Sequence, residues 1–404
     1  MIKRNSDTVT TALAILALLV LVSSSQPFAH AQQVVATAKD GGSAYAIVYD
    51  PAKSDVFVAN YLNDTVTVIS DSSNAVVATV KVGGGPDAIA YDSGKDEVFV
   101  ANSIDGTVTI LSDANDAVVA TVPVGVGPQG VAYDPAKGEV FVSLGGNLAS
   151  SVPSGISVIS DSTDSVVATI AVNQTAQVQG QILTTNLEGV AYDSGKGEVF
   201  VANYGLDSVL VISDSNNSVV ATVPVGSYPY GLAYDPAKAE VFVANSNSNF
   251  TTVISDATNR AIANVTVGED PGGVAYDPSS GQVYVTNAEG TSYAEGTYSG
   301  TSDGTVSIIS DATDKVVGNV TVGIQPGGIA YDSGRNEVIV LNVASDTLSV
   351  ISEGSTTASK TSNSLAFLPS SMAVVAVNVA VLGILASLLM ARQRGRFRTI
   401  SRSS

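Results

Sequence analysis

The dipeptide Tyr-Asp recurs at Tyr49-Asp50, Tyr91-Asp92, Tyr133-Asp134, Tyr192-Asp193, Tyr234-Asp235, Tyr276-Asp277 and Tyr331-Asp332, with intervals of 42, 42, 59, 42, 42 and 55 residues. A fixed period of this size marks a repeat architecture, in which each unit buries its apolar face only by stacking on its neighbours. The repeat overrides the expectation of two or three separate domains that a length of 404 residues would otherwise carry. The two long intervals mark insertions into an otherwise constant unit.

Pro86 to Val124 serves as the type unit. Ala88-Ile89-Ala90-Tyr91 is a short β-type run, and Gly94 lies in the turn after it. Glu97-Val98-Phe99-Val100-Ala101 is the second run. Asn102 to Gly106 is a turn ending in Asp-Gly, a strong hairpin signal. Thr107-Val108-Thr109-Ile110-Leu111 alternates polar and apolar, as a half-buried strand does. Ala117 to Val122 follows a third turn. No stretch between Gln32 and Ser352 has helical periodicity. Four short antiparallel strands per unit of about 40 residues describe the blade of a β-propeller. The strands are called a to d, outward from the axis. Strand a carries small residues, as in Gly130-Val131-Ala132, Gly189-Val190-Ala191 and Gly273-Val274-Ala275, which suit a crowded centre.

The last unit ends after strand c, at Ser349-Val350-Ile351-Ser352. The missing d strand is at the other end of the chain. Val34-Val35-Ala36-Thr37-Ala38 matches Val76-Val77-Ala78-Thr79-Val80 and precedes the first Tyr-Asp. The expected fold over 32–352 is thus an all-β, seven-bladed propeller of four-stranded antiparallel blades. Its N-terminal strand closes the last blade, so the ring has no open seam.

The unit resembles the YVTN-type β-propeller repeat, spelled out by Tyr284-Val285-Thr286-Asn287. Val56 to Asn60, Val98 to Asn102, Val199 to Asn203 and Val241 to Asn245 are close variants. The resemblance spans Val34 to Ser352 and implies similarity to archaeal surface-layer and cell-surface propellers, many of which have no assigned activity.

The two ends fit such a location. Lys3 and Arg4 precede an apolar run from Ala12 to Val22, and Ala29-His30-Ala31 follows. This order predicts a signal peptide over 1–31, cut after Ala31. Residues 353–371 are rich in Ser and Thr and read as a flexible stalk. Residues 372–391 are uncharged and apolar apart from Asn378 and Ser387, long enough for one transmembrane helix. Arg392, Arg394, Arg396, Arg398 and Arg402 make 392–404 a basic cytoplasmic tail. The expectation is a single-pass cell-surface protein with its propeller outside.

Between 32 and 371, 11 basic residues against 36 acidic ones leave a net charge of −25. Such a surface repels nucleic acid and attracts cations. The chain has no Cys, and its one His, His30, leaves with the signal peptide. The mature chain therefore lacks the pairs used by Ser-His-Asp and Cys-His nucleophiles, and lacks imidazole or thiolate ligands for zinc, copper or haem iron. No glycine-rich phosphate loop opens a helix. No cofactor is expected and no catalytic residue is assigned.

Carboxylates remain. Asp64, Asp105, Asp207, Asp303 and Asp346 recur between strands b and c; Asp71, Asp113, Asp161, Asp214, Asp256 and Asp311 recur between c and d. Recurrence from blade to blade points to turn chemistry rather than to a metal site. The resemblance to lactonase and calcium-binding propellers implies a second reading, an anchored enzyme or solute binder. It would use Asp87, Glu188, Glu269 and Asp270 near the axial mouth.

Strand direction alternates, so the d–a and b–c loops share one face. All three insertions fall there: six residues within Leu144 to Gly155, eleven within Asn173 to Leu187 and thirteen within Asn287 to Thr305. Variable loops on a rigid scaffold carry binding residues disproportionately. Tyr228 and Tyr230 in a d–a loop, with Tyr293 and Tyr298 in the last insertion, are the candidate contacts. The expected partner is a cell-surface protein or glycan, met by a structural, adhesion or binding module. N-glycosylation sequons stand at Asn63, Asn173, Asn216, Asn249, Asn264 and Asn319.

Overall fold

The computed structural model describes residues 33–39, 43–146, 154–172, 174–178, 181–289, 292–294, 297–299 and 302–352. Seven four-stranded antiparallel sheets make up the fold. Their inner strands are Ala44–Asp50, Pro86–Asp92, Pro128–Asp134, Leu187–Asp193, Pro229–Asp235, Pro271–Asp277 and Pro326–Asp332. Each inner strand packs beside the inner strands of the two neighbouring blades, and the ring closes where Ala44–Asp50 meets Pro326–Asp332. In six blades the order is a-b-c-d along the chain. In the seventh, Gln33–Lys39 pairs antiparallel with Thr347–Ser352, with Gln33 opposite Ser352 and Lys39 opposite Thr347. The two ends of the domain are therefore hydrogen-bonded in one sheet, as the count of strands anticipates.

Each outermost strand carries a bulge. The register skips Val77, Val119, Val167, Val220, Ile262 and Val317 in blades 1 to 6, and Val35 in blade 7. A bulge twists an edge strand away from edge-to-edge pairing, which an exposed β-branched edge would otherwise invite.

The core lies between blades. Strand b supplies Phe57, Phe99, Phe141, Phe200, Phe242 and Tyr284, all fully buried. Neighbouring inner strands approach closely: a Cβ on Gly130, Gly189, Gly231 or Gly273 would lie 2.3–2.5 Å from a carbonyl oxygen of the next blade. Blades 1 and 2 place Ala46 and Ala88 at this position. Small inner-strand residues are thus a packing requirement of the ring.

The repeated Tyr-Asp is scaffold. In all seven copies the aspartate Oδ1 accepts backbone N–H groups two and three residues on, as Asp92 does from Gly94 (2.7 Å) and Lys95 (3.2 Å). In four blades the tyrosine hydroxyl reaches the c–d turn of its own blade, as Tyr133 does at Asp161 (3.2 Å), Tyr192 at Asp214 (3.4 Å), Tyr234 at Asp256 (3.3 Å) and Tyr276 at Asp311 (3.4 Å). Tyr91 and Tyr331 donate within the a–b turn instead, to Asp96 and Asn336, both at 2.7 Å. Cations in the a–b turns then cross to the next blade. Lys53 pairs with Asp116 at 2.6 Å, Lys137 with Asp214 at 3.2 Å and Arg335 with Asp71 at 3.0 Å. The c–d aspartates are thus engaged in holding blades together.

Candidate functional site: the insertion-bearing face

Ladder register puts the start of strand a opposite the end of strand b, as in Ala44 with Asn60 and Pro86 with Asn102. The d–a and b–c loops therefore share a face, and the insertions lie on it. Two insertions form small hairpins of their own. Thr175–Val178 pairs with Gln181–Thr184, and Ser292–Ala294 pairs with Thr297–Ser299 with Tyr293 opposite Tyr298. The insertion within blade 3 and the one that follows that blade meet: the Ser154 hydroxyl lies 2.8 Å from the carbonyl oxygens of both Gly145 and Thr185. The b–c aspartates fix the loops next to them. Asp64 accepts from the Gly85 N–H at 3.0 Å and Asp207 from the Tyr228 N–H at 3.0 Å, each across a blade boundary. Asp303 differs in lying within a strand, Asp303–Ser310.

At the axis, the second residue of each inner strand forms a ring of Tyr45, Asp87, Gln129, Glu188, Tyr230, Gly272 and Gly327. Glu188 is 8% exposed, and its Oε1 accepts from Gln129 Nε2 (3.1 Å) and Asn186 Nδ2 (3.0 Å). Burial, then the charge of Asp87, pushes the Glu188 carboxyl up to about 8. Burial pushes Asp87 up to about 7 against a hydrogen bond from Ser103. Asp87 keeps some surface open to the lumen while protein encloses it. Tyr230 is raised well above its usual range by burial first, then by Tyr45, Glu188 and Asp87. Tyr230 is therefore an inner-strand residue enclosed at the axis, where the sequence reading places it on an open loop. Its neighbour is Pro229, the first strand residue, so the pleat turns the next side chain to the lumen.

Farther from the axis, Tyr204 and Tyr228 stack with ring centroids 4.5 Å apart and planes 11° from parallel. They border an open cleft of about 320 Å³ with Ser246, Asn247, Asn249, Glu269 and Asp270. Tyr228 has φ +56° and stays 42% exposed. The four acids of the second reading thus divide. Asp87 and Glu188 meet at the axis, whereas Glu269 and Asp270 line a cleft that shares no residue with that ring. Tyr204 escapes sequence reasoning because it follows the strand-b Asn in an ordinary turn, within the 3-10 segment Tyr204–Leu206. Tyr45 and Gln129 escape it because only the ring geometry joins them to Glu188 and Tyr230.

On the opposite face, Asp71, Asp332 and Glu337 bring carboxylate oxygens within 4.8 Å of one another. Arg335 sits among them, 3.0 Å from Asp71 and 3.9 Å from Glu337, and supplies the positive charge. Of the sequon asparagines, Asn63, Asn216, Asn249, Asn264 and Asn319 are exposed. Thr251, which completes the Asn249 sequon, is fully buried. Asn173, the 1–31 segment and 353–404, with the expected transmembrane span 372–391, lie outside the described residues. Among the described residues no helix is long and apolar enough to cross a membrane.

No family model matches the chain, and no curated protein matches it. Among solved structures the chain is similar to Kuenenia stuttgartiensis hydrazine synthase, with a TM-score of 0.64 and 17% identity, over 78% of this chain and 97% of that one. At that identity the likeness establishes the fold. The protein is a seven-bladed β-propeller of four-stranded antiparallel blades.

Proposed function

We propose that the chain is a YVTN-type propeller displayed outside the cell, exported by its first 31 residues and anchored by 372–391. It works as a non-catalytic binding or adhesion module, similar to archaeal surface-layer propellers, and meets a cell-surface protein or glycan through its d–a/b–c face. The observation that carries this reading is the cleft beside the stacked Tyr204–Tyr228 pair, on the face that holds every insertion. Amphipathic aromatics on loops over a rigid scaffold are the usual makings of a recognition surface. Beads coated with the full-length chain should attach to cell envelopes. Tyr228→Ala should reduce attachment, while Asp116→Asn on the other face should not. Equal attachment by all three proteins would sink the proposal.

A second reading is favoured by Asp87 and Glu188: a calcium or solute site, or a lactonase-like centre, at the axial mouth. Carboxyls held near neutrality by burial release protons when a cation arrives. Calcium titration by calorimetry tests it. Absence of heat and an unchanged melting temperature would remove it.

A further inference from the structure

We infer that the Tyr204–Tyr228 cleft receives a cationic side chain, the guanidinium of an arginine on a partner protein. This inference rests on the binding role proposed above and specifies its ligand. Two acidic residues, Glu269 and Asp270, line the cleft, and among the described residues no basic one does. Beside them, Tyr204 covers one face of the Tyr228 ring, while Tyr228 remains 42% exposed. An aromatic face next to acids is a site for a flat cation, which stacks on the ring and donates its N–H fork to carboxylate oxygens. A neutral ligand would strip water from the carboxylates without replacing the lost charge stabilisation. An anion is repelled by them and by the −25 charge of the 32–371 stretch, from 11 basic and 36 acidic residues. The same field draws a basic partner in.

The walls are built before any ligand arrives. The Tyr228 N–H donates to Asp207 at 3.0 Å, which holds the ring on a backbone with φ +56°, a region bulky residues rarely adopt. The Ser246 N–H donates to the Tyr228 carbonyl at 3.0 Å, and the Ser246 hydroxyl to the Pro271 carbonyl at 3.0 Å. The Ala288 N–H donates to the Asp270 carbonyl at 3.2 Å. Loops from three consecutive blades are thus joined around the cleft. Preorganisation of this kind lowers the ordering cost of binding.

The test is calorimetric titration of the full-length, unglycosylated chain with the peptide acetyl-Gly-Arg-Gly-amide and with its citrulline analogue, which has the same shape without the charge. The arginine peptide should bind about tenfold more tightly, a difference that added salt erodes. Tyr228→Ala and Glu269→Gln should each weaken it about tenfold at unchanged melting temperature. Equal binding of the two peptides, or an unaltered Glu269→Gln titration, would overturn the inference. Neutral oligosaccharide binding lost in Tyr228→Ala, with no arginine binding, would overturn it too yet leave the binding role standing. If neither probe binds and envelope attachment ignores Tyr228→Ala, both readings fall.

Discussion

The side-chain amide of Asn102 donates to the Thr109 hydroxyl at 2.9 Å and to the Thr107 hydroxyl at 3.1 Å, with Asn102 and Thr109 themselves buried beneath an exposed b–c loop. Asn60, Asn287 and Asn342 repeat this clamp, and Asn245 makes it to Thr252. The asparagine of the repeat motif is therefore a structural clamp. In blade 4 the clamp fails. Leu210 stands where blade 2 has Thr109, and Asn203 Nδ2 has no partner among the described residues. Asn102→Ala should cost roughly 2–3 kcal/mol, since two bonds go and two hydroxyls lose a donor. Asn203→Ala should cost less, about 1 kcal/mol, because only the 3.3 Å bond from the Asn186 N–H to its Oδ1 is lost. Urea denaturation of the two variants measures the difference.

Ring closure predicts a second outcome. Deleting 33–39 strips the outer partner from Thr347–Ser352, which keeps only Glu337–Asn342, and leaves a six-residue strand with an unpaired edge. The deletion should lower the melting temperature by several degrees or abolish cooperative unfolding. Unchanged melting would contradict the closure.

The fold was legible because its signals repeat. Seven Tyr-Asp copies, period-2 strands and the orphaned Val34 to Ala38 strand each point to one closed ring. The turn role of the repeated aspartates was legible for the same reason. The candidate site was not. Glu188 and Asp87 lie 101 positions apart in numbering, and their coupling arises only because inner strands converge on one axis. Tyr228 and Tyr230 are two positions apart in the same stretch, yet one borders an outer cleft and the other faces the lumen. Composition and period do not encode which way such side chains point; the pleat and the entry of the strand do.

Stability should depend on pH with a definite sign. Burial raises Glu188 to about 8, Asp87 and Glu240 to about 7, and Asp71 and Asp113 to about 6. The folded state thus holds these protons more tightly than the unfolded chain, whose carboxyls titrate near 4. The stabilisation is fully present below the unfolded values and is lost as pH rises through about 6 to 8. The melting temperature should be higher at pH 5 than at pH 8.5. Glu188→Gln should flatten the upper part of that slope. A melting temperature that climbs with pH over this range would show that the axial carboxyls ionise without cost.

Glycines at the axis separate into two kinds. A methyl group on Gly189 would lie 2.3 Å from the Tyr230 carbonyl oxygen, so the neighbouring inner strand must move. That strand carries the side chain of Tyr230 in the lumen, and its shift would spread to the contacts with Glu188 and Tyr45. Gly189→Ala should therefore destabilise by about 1–3 kcal/mol, the range for overpacking a rigid interior. At Gly272 the nearest atom to an added methyl is the Thr286 hydroxyl at 3.5 Å, an ordinary contact. Gly272→Ala should be neutral, or stabilise by about 0.4–1 kcal/mol through a less mobile unfolded chain. Chemical denaturation distinguishes the two, and equal costs would mean that the inner strands are not in the close contact that shapes the axial ring.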